Sequence, residues 1–174
     1  MKKNTKKQAL EATVGKSGYL APKPEKGAFK GRRVALVATR WNVEIVDALL
    51  AGARACAKDW GVTAKNVDEF RAPGAFELPL AVAGLIDSGK YDAIVVLGAV
   101  IRGDTPHFEY VAGECSRGLR ELSQKHRMPL GFGVLTVNTV EQALERCVPG
   151  VTNKGYEAAA AALEMVTLLG AIHD

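Results

Sequence analysis

Residues Ala93 to Ile101 read AIVVLGAVI, an apolar run enclosed by Asp92 on one side and Arg102-Gly103 on the other. A run of this kind, without alternating polar residues, is typical of a β-strand that is buried on both faces. Val34 to Ala38, with the sequence VALVA, has the same character. Strands buried on both faces occur chiefly in parallel sheets that are covered by helices on each side. The two runs therefore predict an α/β protein with a central parallel sheet.

The segments around these strands carry helical patterns and capping signals. Apolar residues recur at helical spacing from Val46 to Trp60, and Asn42 is expected to cap this helix. Thr105 is expected to cap a further helix, to about residue 125, that has Pro106 at its first position. The other predicted elements are strands at about 64–71 and 130–137 and helices at about 76–88, 139–147 and 154–169. Four strands alternating with helices predict a three-layer αβα sandwich with a four-stranded parallel sheet, which is the flavodoxin-like arrangement.

The charge of the chain is unevenly distributed. The 174 residues carry a formal charge of +4, with 23 Lys and Arg against 19 Asp and Glu. Residues 1–33 hold 10 basic and 2 acidic side chains, whereas residues 34–174 hold 13 basic and 17 acidic ones. The body of the protein is therefore mildly acidic, which argues against a nucleic-acid partner. Residues 1–31 are predicted to be a disordered basic N-terminal tail, and residues 32–174 to form one folded domain.

Several classes of protein are disfavoured by composition. No stretch approaches about 20 consecutive apolar residues, and the N-terminus lacks the apolar core of a secretory signal, so neither a membrane span nor secretion is expected. The cysteines and histidines lack the spacing of a disulfide framework or a zinc site, so no metal is predicted. A reducing, cytoplasmic location fits best. These scattered residues are Cys56, Cys115, Cys147, His107, His126 and His173.

Ligands of open parallel sheets bind beyond the carboxyl ends of the strands, so the segments that follow the strands are candidate sites. Trp41 follows the first strand, and its ring can either seal the end of the sheet or stack on a flat heterocycle. Pro73 to Glu77 follows the second strand and places backbone amides at the start of a helix. Glu77 either offers its carboxylate to a polyhydroxyl ligand or only favours the helix dipole. The sequence leaves both pairs of alternatives open.

Gly103 to His107 follows the third strand and combines several features of an anion site. Backbone amides at a helix start, the Thr105 hydroxyl and the neighbouring Arg102 guanidinium together favour a phosphate-sized anion. His107 lies in the first helical turn, and histidine is the side chain that changes its protonation near neutral pH. This segment predicts a place where an anion is held beside a group that can transfer protons.

Gly131-Phe132-Gly133 lies within the fourth predicted strand. It lacks the third glycine of the dinucleotide-binding fingerprint, and it does not stand between a strand and a helix. Glycine inside a strand often marks a close approach of another backbone. We therefore interpret these two glycines as a packing feature.

Together, these segments resemble the lumazine synthase family, and the resemblance extends from about Arg33 to the last helix. The order and spacing of the motifs carry the resemblance, rather than any single motif. The matching motifs are PGAFE (Pro73 to Glu77), LGAVIRGDTPHFEYV (Leu97 to Val111), GFGVLT (Gly131 to Thr136), EQALER (Glu141 to Arg146) and NKG (Asn153 to Gly155).

The resemblance implies an enzyme of riboflavin biosynthesis. It would condense two small molecules, 5-amino-6-ribitylaminouracil and 3,4-dihydroxy-2-butanone 4-phosphate, to 6,7-dimethyl-8-ribityllumazine, releasing phosphate and water without a metal or redox cofactor. Two alternatives share this fold, an archaeal-type riboflavin synthase and a non-catalytic flavin-binding or shell-forming protein. The joint presence of Glu77, His107 and Arg146 argues against the last, because a shell needs none of them.

The resemblance also implies roles for individual residues. Trp41 would stack on the pyrimidine ring, where family members often carry phenylalanine; Glu77 would bind the ribityl hydroxyls, and His107 would transfer protons. The residues expected at the phosphate are Asp104, Thr105 and Arg146. The other positions expected to contact substrate are Ala75, Phe76, Ala99, Val100, Ile101 and Phe132. Of these, Ala99 stands where the family often has threonine.

Phe132 predicts something about assembly. It lies near the start of the fourth strand, opposite the end where the other site residues of its own chain are expected. We therefore expect it to reach the site of a neighbouring subunit. The resemblance implies a homopentamer with active sites between subunits, and some family members assemble pentamers into a hollow shell.

Lys154 is expected either to assist at the site, with Glu157, or only to solvate the start of its helix.

Overall fold

The computed structural model describes residues 22, 24–25 and 27–173. Its centre is a four-stranded, all-parallel sheet with the strand order β2-β1-β3-β4. The strands are β1 (Val34–Thr39), β2 (Val67–Ala72), β3 (Ala93–Ile101) and β4 (Leu130–Val137). The helices are α1 (Val43–Asp59), α2 (Leu78–Asp87), α3 (His107–His126), α4 (Val140–Arg146) and α5 (Lys154–His173), with a 3-10 turn at Ala64–Asn66.

The two apolar runs that predicted the fold are the inner strands β1 and β3. Every residue of β1 is buried, as are the first seven residues of β3. Alternate side chains of these strands enter two separate cores, because successive residues of a strand point to opposite faces. Leu36 and Val95 pack towards α1 and α5, whereas Val37 and Val96 pack towards α2 and α3. The predicted three-layer αβα sandwich is confirmed.

Several predicted element boundaries differ from the structure. The second strand was expected from about residue 64, but Ala64–Asn66 forms a 3-10 turn, and β2 begins at Val67. Helix α2 begins at Leu78 rather than near residue 76, with Pro79 in its first turn, where a missing N–H leaves no intrahelical bond unmade. Helix α5 continues to His173 instead of ending near residue 169.

The capping roles predicted for Asn42 at α1 and for Thr105 at α3 are both wrong. Asn42 precedes α1 with a left-handed φ of 54° and makes no side-chain capping bond. Its side-chain amide instead donates to the Ala99 carbonyl, at 2.9 Å. Helix α3 begins at His107, one residue later than expected, and Thr105 does not cap it. Helix α4, in contrast, has a side-chain cap, because Thr139 Oγ1 accepts a bond from the backbone N–H of Gln142 at its start.

The predicted N-terminal tail, residues 1–31, falls largely outside the described residues. Its last part is described, and there Phe29 differs from the expectation. Phe29 is only 2% exposed, and its ring lies 5.4 Å from the ring of buried Trp60, centroid to centroid. A ring buried to this degree stabilises the fold by roughly 2 kcal/mol. The folded domain therefore includes this aromatic residue, which the sequence had assigned to the tail.

Helix α5 is long and apolar enough to match a membrane span, although the sequence was not expected to contain one. Core helices of soluble proteins have the same property. The N-terminal half of α5 is buried against α1 and β4, through a stripe of small residues that allows close approach. Gly155 illustrates the closeness, because a Cβ added there would lie 1.9 Å from the Leu49 carbonyl oxygen of α1. This packing identifies α5 as a core helix of the domain.

The buried thiols predict how stability depends on pH. Cys56 and Cys115 are fully buried, and desolvation raises the pKa of each to about 12 from 9.0. The unfolded chain loses these protons above about pH 9 while the folded protein retains them, so stability is complete below pH 9 and falls as the pH rises towards 12. We expect each thiol to cost about 1 to 2 kcal/mol of the unfolding free energy between pH 8 and pH 10.

Urea unfolding of the Cys115→Ala variant at these two pH values tests this expectation. The variant lacks one buried thiol, so its loss of stability on going to pH 10 should be smaller than that of the unsubstituted protein. Leu119→Ala, at a fully buried position of the same helix, is the matched control and should keep the full loss. An equal pH dependence in Cys115→Ala and the unsubstituted protein would contradict the expectation.

Candidate active site

A cavity of about 570 Å³ opens at the carboxyl ends of β1 and β3, where the strand-end rule placed the site. Its wall combines three segments that are far apart in sequence: the turn after β1, the turn before α2, and the end of β3 with the first turn of α3. Eight residues predicted to form the site line it, namely Trp41, Ala75, Phe76, Glu77, Ala99, Val100, Ile101 and His107. The structure thus brings together most of the predicted site in one chain.

Trp41 is held at the mouth of this cavity. The left-handed turn at Asn42 and the bond from its side chain to Ala99 tie the segment after β1 to the adjacent strand. The Trp41 ring lies against Gly74, where an added Cβ would be 3.2 Å from the ring carbon Cδ1. The side chain is nevertheless 73% exposed. Of the two alternatives, the structure favours a free stacking surface, because a ring that sealed the sheet end would be buried.

The turn before α2 presents Phe76 and Glu77. The Arg40 amide bonds the carbonyls of Ala72 and Pro73, at 3.1 and 3.4 Å, and this fixes the turn against the end of β1. Phe76 is 59% exposed and offers a second apolar surface. Glu77 precedes α2 without a side-chain capping bond, and within the described ranges its carboxylate forms no ion pair. That carboxylate is therefore available to a polar ligand.

His107 is the first residue of α3 and lines the cavity from the third side. Its imidazole makes no hydrogen bond within the described part of the chain, so the backbone beneath it sets its position. Asp104 and Thr105 lie in the exposed loop before α3, outside the cavity wall. Arg102 was predicted to favour an anion in this loop. In the structure its guanidinium forms an ion pair with the carboxylate of Glu109, at 2.7 Å.

Two predicted site residues lie on a different surface. Phe132 and Arg146 line a second groove of about 570 Å³ along the β4 edge of the sheet, and this groove shares no lining residue with the cavity. Phe132 pairs with Val96, whereas Val137 pairs with Ile101 at the carboxyl end. Five residues of strand separate these two levels, or about 16 Å. The structure therefore does not unite Phe132 and Arg146 with His107 in a single chain.

The groove along β4 holds charged groups. Arg146 is 44% exposed and donates through its Nη1 to the Gln142 carbonyl, at 2.8 Å. Lys154 Nζ pairs with Glu157 Oε2 at 2.6 Å, and the Glu157 side chain is 13% exposed. The other carboxylate oxygen of Glu157, Oε1, is buried without a hydrogen bond from any described residue. A buried acceptor without a donor costs about 1 to 3 kcal/mol, so this oxygen favours a donor from outside the chain.

The glycines flanking Phe132 have the packing role that the sequence indicated. A Cβ on Gly131 would lie 2.2 Å from the Ala158 carbonyl oxygen of α5, and one on Gly133 would lie 2.7 Å from a methyl group of Leu97. Both glycines face inwards, so Phe132 between them points away from α5 and is 45% exposed. The motif thus combines a tight helix-to-strand contact with an exposed aromatic ring.

The sequence reasoning missed several residues of the cavity wall. Tyr110 and Val111 line it with His107, and their spacing of three and four residues along a helix could have identified them. Gly74 also lines the cavity, and its position within PGAFE was a signal of close backbone approach. Thr39 and Asn42 complete the missed set. The local signal at Asn42 indicated a helix cap, and nothing nearby in sequence indicated its actual partner, the Ala99 carbonyl.

Comparison with known proteins identifies this arrangement. The family model described as 6,7-dimethyl-8-ribityllumazine synthase matches residues 31–170. A curated relative from Desulfovibrio desulfuricans, named 6,7-dimethyl-8-ribityllumazine synthase, is 51% identical over 140 residues, which cover 80% of this chain and 90% of the relative. The resemblance stated from the motifs is confirmed. The chain therefore belongs to the 6,7-dimethyl-8-ribityllumazine synthase family, whose members are transferases of riboflavin biosynthesis.

Proposed function

We propose that this protein condenses 5-amino-6-ribitylaminouracil with 3,4-dihydroxy-2-butanone 4-phosphate to form 6,7-dimethyl-8-ribityllumazine, without a metal or redox cofactor. The observation that carries the proposal is the single cavity that joins Trp41, Phe76, Glu77 and His107. It offers aromatic surfaces for a planar ring, a carboxylate for hydroxyl groups and an imidazole for proton transfer. These are the chemical groups that the first substrate and the reaction require.

The pyrimidine substrate matches the apolar part of the cavity. Its ring would lie between Trp41 and the wall formed by Ala99, Val100 and Ile101, with Ala75 and Phe76 beside it. The ribityl chain carries hydroxyl groups, which donate well to a carboxylate, and the carboxylate of Glu77 has no competing partner within the described ranges.

The second substrate introduces a ketone and a phosphate. The amine attacks the ketone carbon, whose oxygen leaves as water, phosphate is then eliminated, and ring closure releases a second water, so protons must be moved repeatedly at one place. His107 lines the cavity, and this position supports its proposed role in moving those protons. Arg146 would hold the phosphate bidentately, which a lysine cannot do, and Asp104 and Thr105 would contact the same group.

A direct assay tests the proposed function. Mixing the protein with both substrates should produce a green-fluorescent lumazine and release inorganic phosphate. Supplying the lumazine alone should give no riboflavin, whereas an archaeal-type riboflavin synthase would convert it. If the protein bound flavin but formed neither lumazine in the first assay nor riboflavin in the second, it would be the non-catalytic alternative.

The distribution of site residues supports an assembly with shared sites. We propose a homopentamer in which the groove of one subunit completes the cavity of the next. Phe132 and Arg146 are exposed in the groove, and the cavity rim exposes Trp41 and Tyr110, which are 73% and 67% exposed. A single chain would leave these aromatic rings in water and His107 separated from Arg146. The buried, unpaired oxygen of Glu157 likewise favours a donor from a substrate or a neighbour.

Complementation between two inactive variants tests the shared site. His107→Ala and Arg146→Ala should each be nearly inactive alone. Refolding an equal mixture should restore activity at about a quarter of the sites, because a cavity from one variant then meets a groove from the other. Mixing the two proteins without unfolding them is the control. No recovery after co-refolding, with assembly intact, would place both residues in the same subunit's site.

The state of the cysteines indicates the cellular compartment. We propose that the enzyme acts in the cytoplasm, since its three cysteines are buried as free thiols in the structure. A reducing compartment keeps such thiols free, whereas secreted proteins generally pair them.

A further inference from the structure

Arg102, which follows β3, has no role in the proposed reaction but makes several contacts. Arg102 interacts with three side chains through one guanidinium group. Its Nε donates to Asn138 Oδ1 at 3.0 Å, and its Nη2 lies 2.7 Å from Glu109 Oε1. The guanidinium carbon lies 4.3 Å above the centre of the Phe108 ring. Its backbone N–H also donates to the Val137 carbonyl, at 2.9 Å.

These contacts connect the segment after β4 with the start of α3. Asn138 follows β4, while Phe108 and Glu109 belong to the first turn of α3. No side-chain cap holds the start of α3. Arg102 therefore fixes the first turn of α3 to the carboxyl end of the sheet, and a planar guanidinium is suited to this because it can donate in two directions while stacking on a ring.

His107 immediately precedes the two clamped residues of α3. Its imidazole makes no hydrogen bond of its own within the described ranges, so the backbone of this turn sets where it lies. Proton transfer depends on distances of about 3 Å, and a misplacement of 1 Å can cost about a hundredfold in rate. We propose that Arg102 is a positioning residue that holds His107 at the reacting atoms, rather than a ligand of the substrate phosphate. This inference rests on the proposed role of His107.

Steady-state kinetics of Arg102→Lys, measured alone and combined with His107→Ala, test the inference. Lysine keeps the charge but can neither bridge Asn138 and Glu109 nor stack as a plane. We expect kcat to fall roughly ten- to a hundredfold, with the KM of each substrate changed less than about threefold. In the His107→Ala background, the same substitution should change kcat less than about twofold, because the group it positions is absent.

Arg117→Lys is the matched control. Arg117 lies on the same helix and forms an exposed ion pair with Glu114, at 3.3 Å, so its replacement should leave kcat within about twofold. Glu109→Gln removes the charge from one of the three side-chain contacts of Arg102 but keeps an acceptor oxygen there, so it should give a smaller fall in kcat than Arg102→Lys. Amide hydrogen exchange of residues 103–110 should be faster in Arg102→Lys and unchanged in Arg117→Lys.

Each contrary result has a distinct meaning. A raised KM for the phosphate substrate with unchanged kcat would make Arg102 a phosphate ligand and overturn the inference. An equal fall in kcat with and without His107, or unchanged amide exchange, would also overturn it. If His107→Ala alone left turnover intact, the proposed role of His107 would fail, and the exchange result would still show separately whether Arg102 clamps the helix start.

Discussion

Replacing His107 with alanine should lower kcat by about 10²- to 10⁴-fold, the range typical of losing a positioned acid–base group. The imidazole lines the cavity but supports no other part of the fold, because it forms no hydrogen bond with any described residue. Its removal should therefore leave the stacking surface of Trp41 and the carboxylate of Glu77 in place. The remaining rate comes from holding the two substrates together, which by itself can supply roughly 7 to 11 kcal/mol.

Comparing kcat with pyrimidine affinity in His107→Ala distinguishes a role in proton transfer from a role in binding. Affinity for the pyrimidine substrate, measured by calorimetry, should change less than about threefold in His107→Ala. His126→Ala is the matched control, since His126 ends the same helix and lies outside the cavity wall. A fall in pyrimidine affinity as large as the fall in kcat would assign His107 to binding. Unchanged turnover would remove it from the chemistry.

The second large effect is on folding, at Gly155. Alanine at this position would bring its Cβ to 1.9 Å from the Leu49 carbonyl oxygen, so the new methyl group would clash with the backbone of α1. Overpacking of this kind typically costs about 1 to 3 kcal/mol, and a clash with rigid backbone belongs at or above the upper end. The start of α5 must shift outwards, and Lys154 and Glu157 would move with it.

Gly170→Ala provides a matched control on the same helix. A Cβ at Gly170 would meet no atom within 4 Å, so the substitution should be neutral or stabilise the helix by roughly 0.5 to 1 kcal/mol. Urea unfolding monitored by circular dichroism measures both variants. Equal stabilities of Gly155→Ala and Gly170→Ala would show that α5 and α1 are not packed as closely as described.

The inner strands could be predicted because burial on both faces requires apolar residues along their length. Ala93 to Ile101 has no polar residue, and neither hairpin nor edge strand needs such a run. The edge strand β2 is half exposed, so its start at Val67 carried a weaker pattern and was misplaced. Phe29 was misassigned for a different reason. A single aromatic residue among charged ones gives no periodic signal, and only its partner Trp60 explains its burial.

The position of the site could be predicted from local sequence patterns, whereas the contacts of some of its residues could not. The strand-end rule located the cavity, because it depends only on the order of strands and helices. It could not assign Arg102, whose partner Asn138 lies 36 residues away, nor the side chain of Asn42, whose partner Ala99 lies 57 residues away. Helix-cap preferences alone suggested different roles for these segments. Contacts between distant segments decided which local preference was realised.

The placement of the two tryptophans gives the protein two separate optical reporters. Trp60 is 4% exposed and packs on Phe29 in the core, so its emission follows the folded state. Trp41 lies at the cavity mouth, 73% exposed, where a stacked ring would quench it. With only these two indoles in the chain, Trp41→Phe would leave a signal of unfolding alone, and Trp60→Phe a signal of occupancy. Ligand binding and loss of structure can thus be followed independently without any added label.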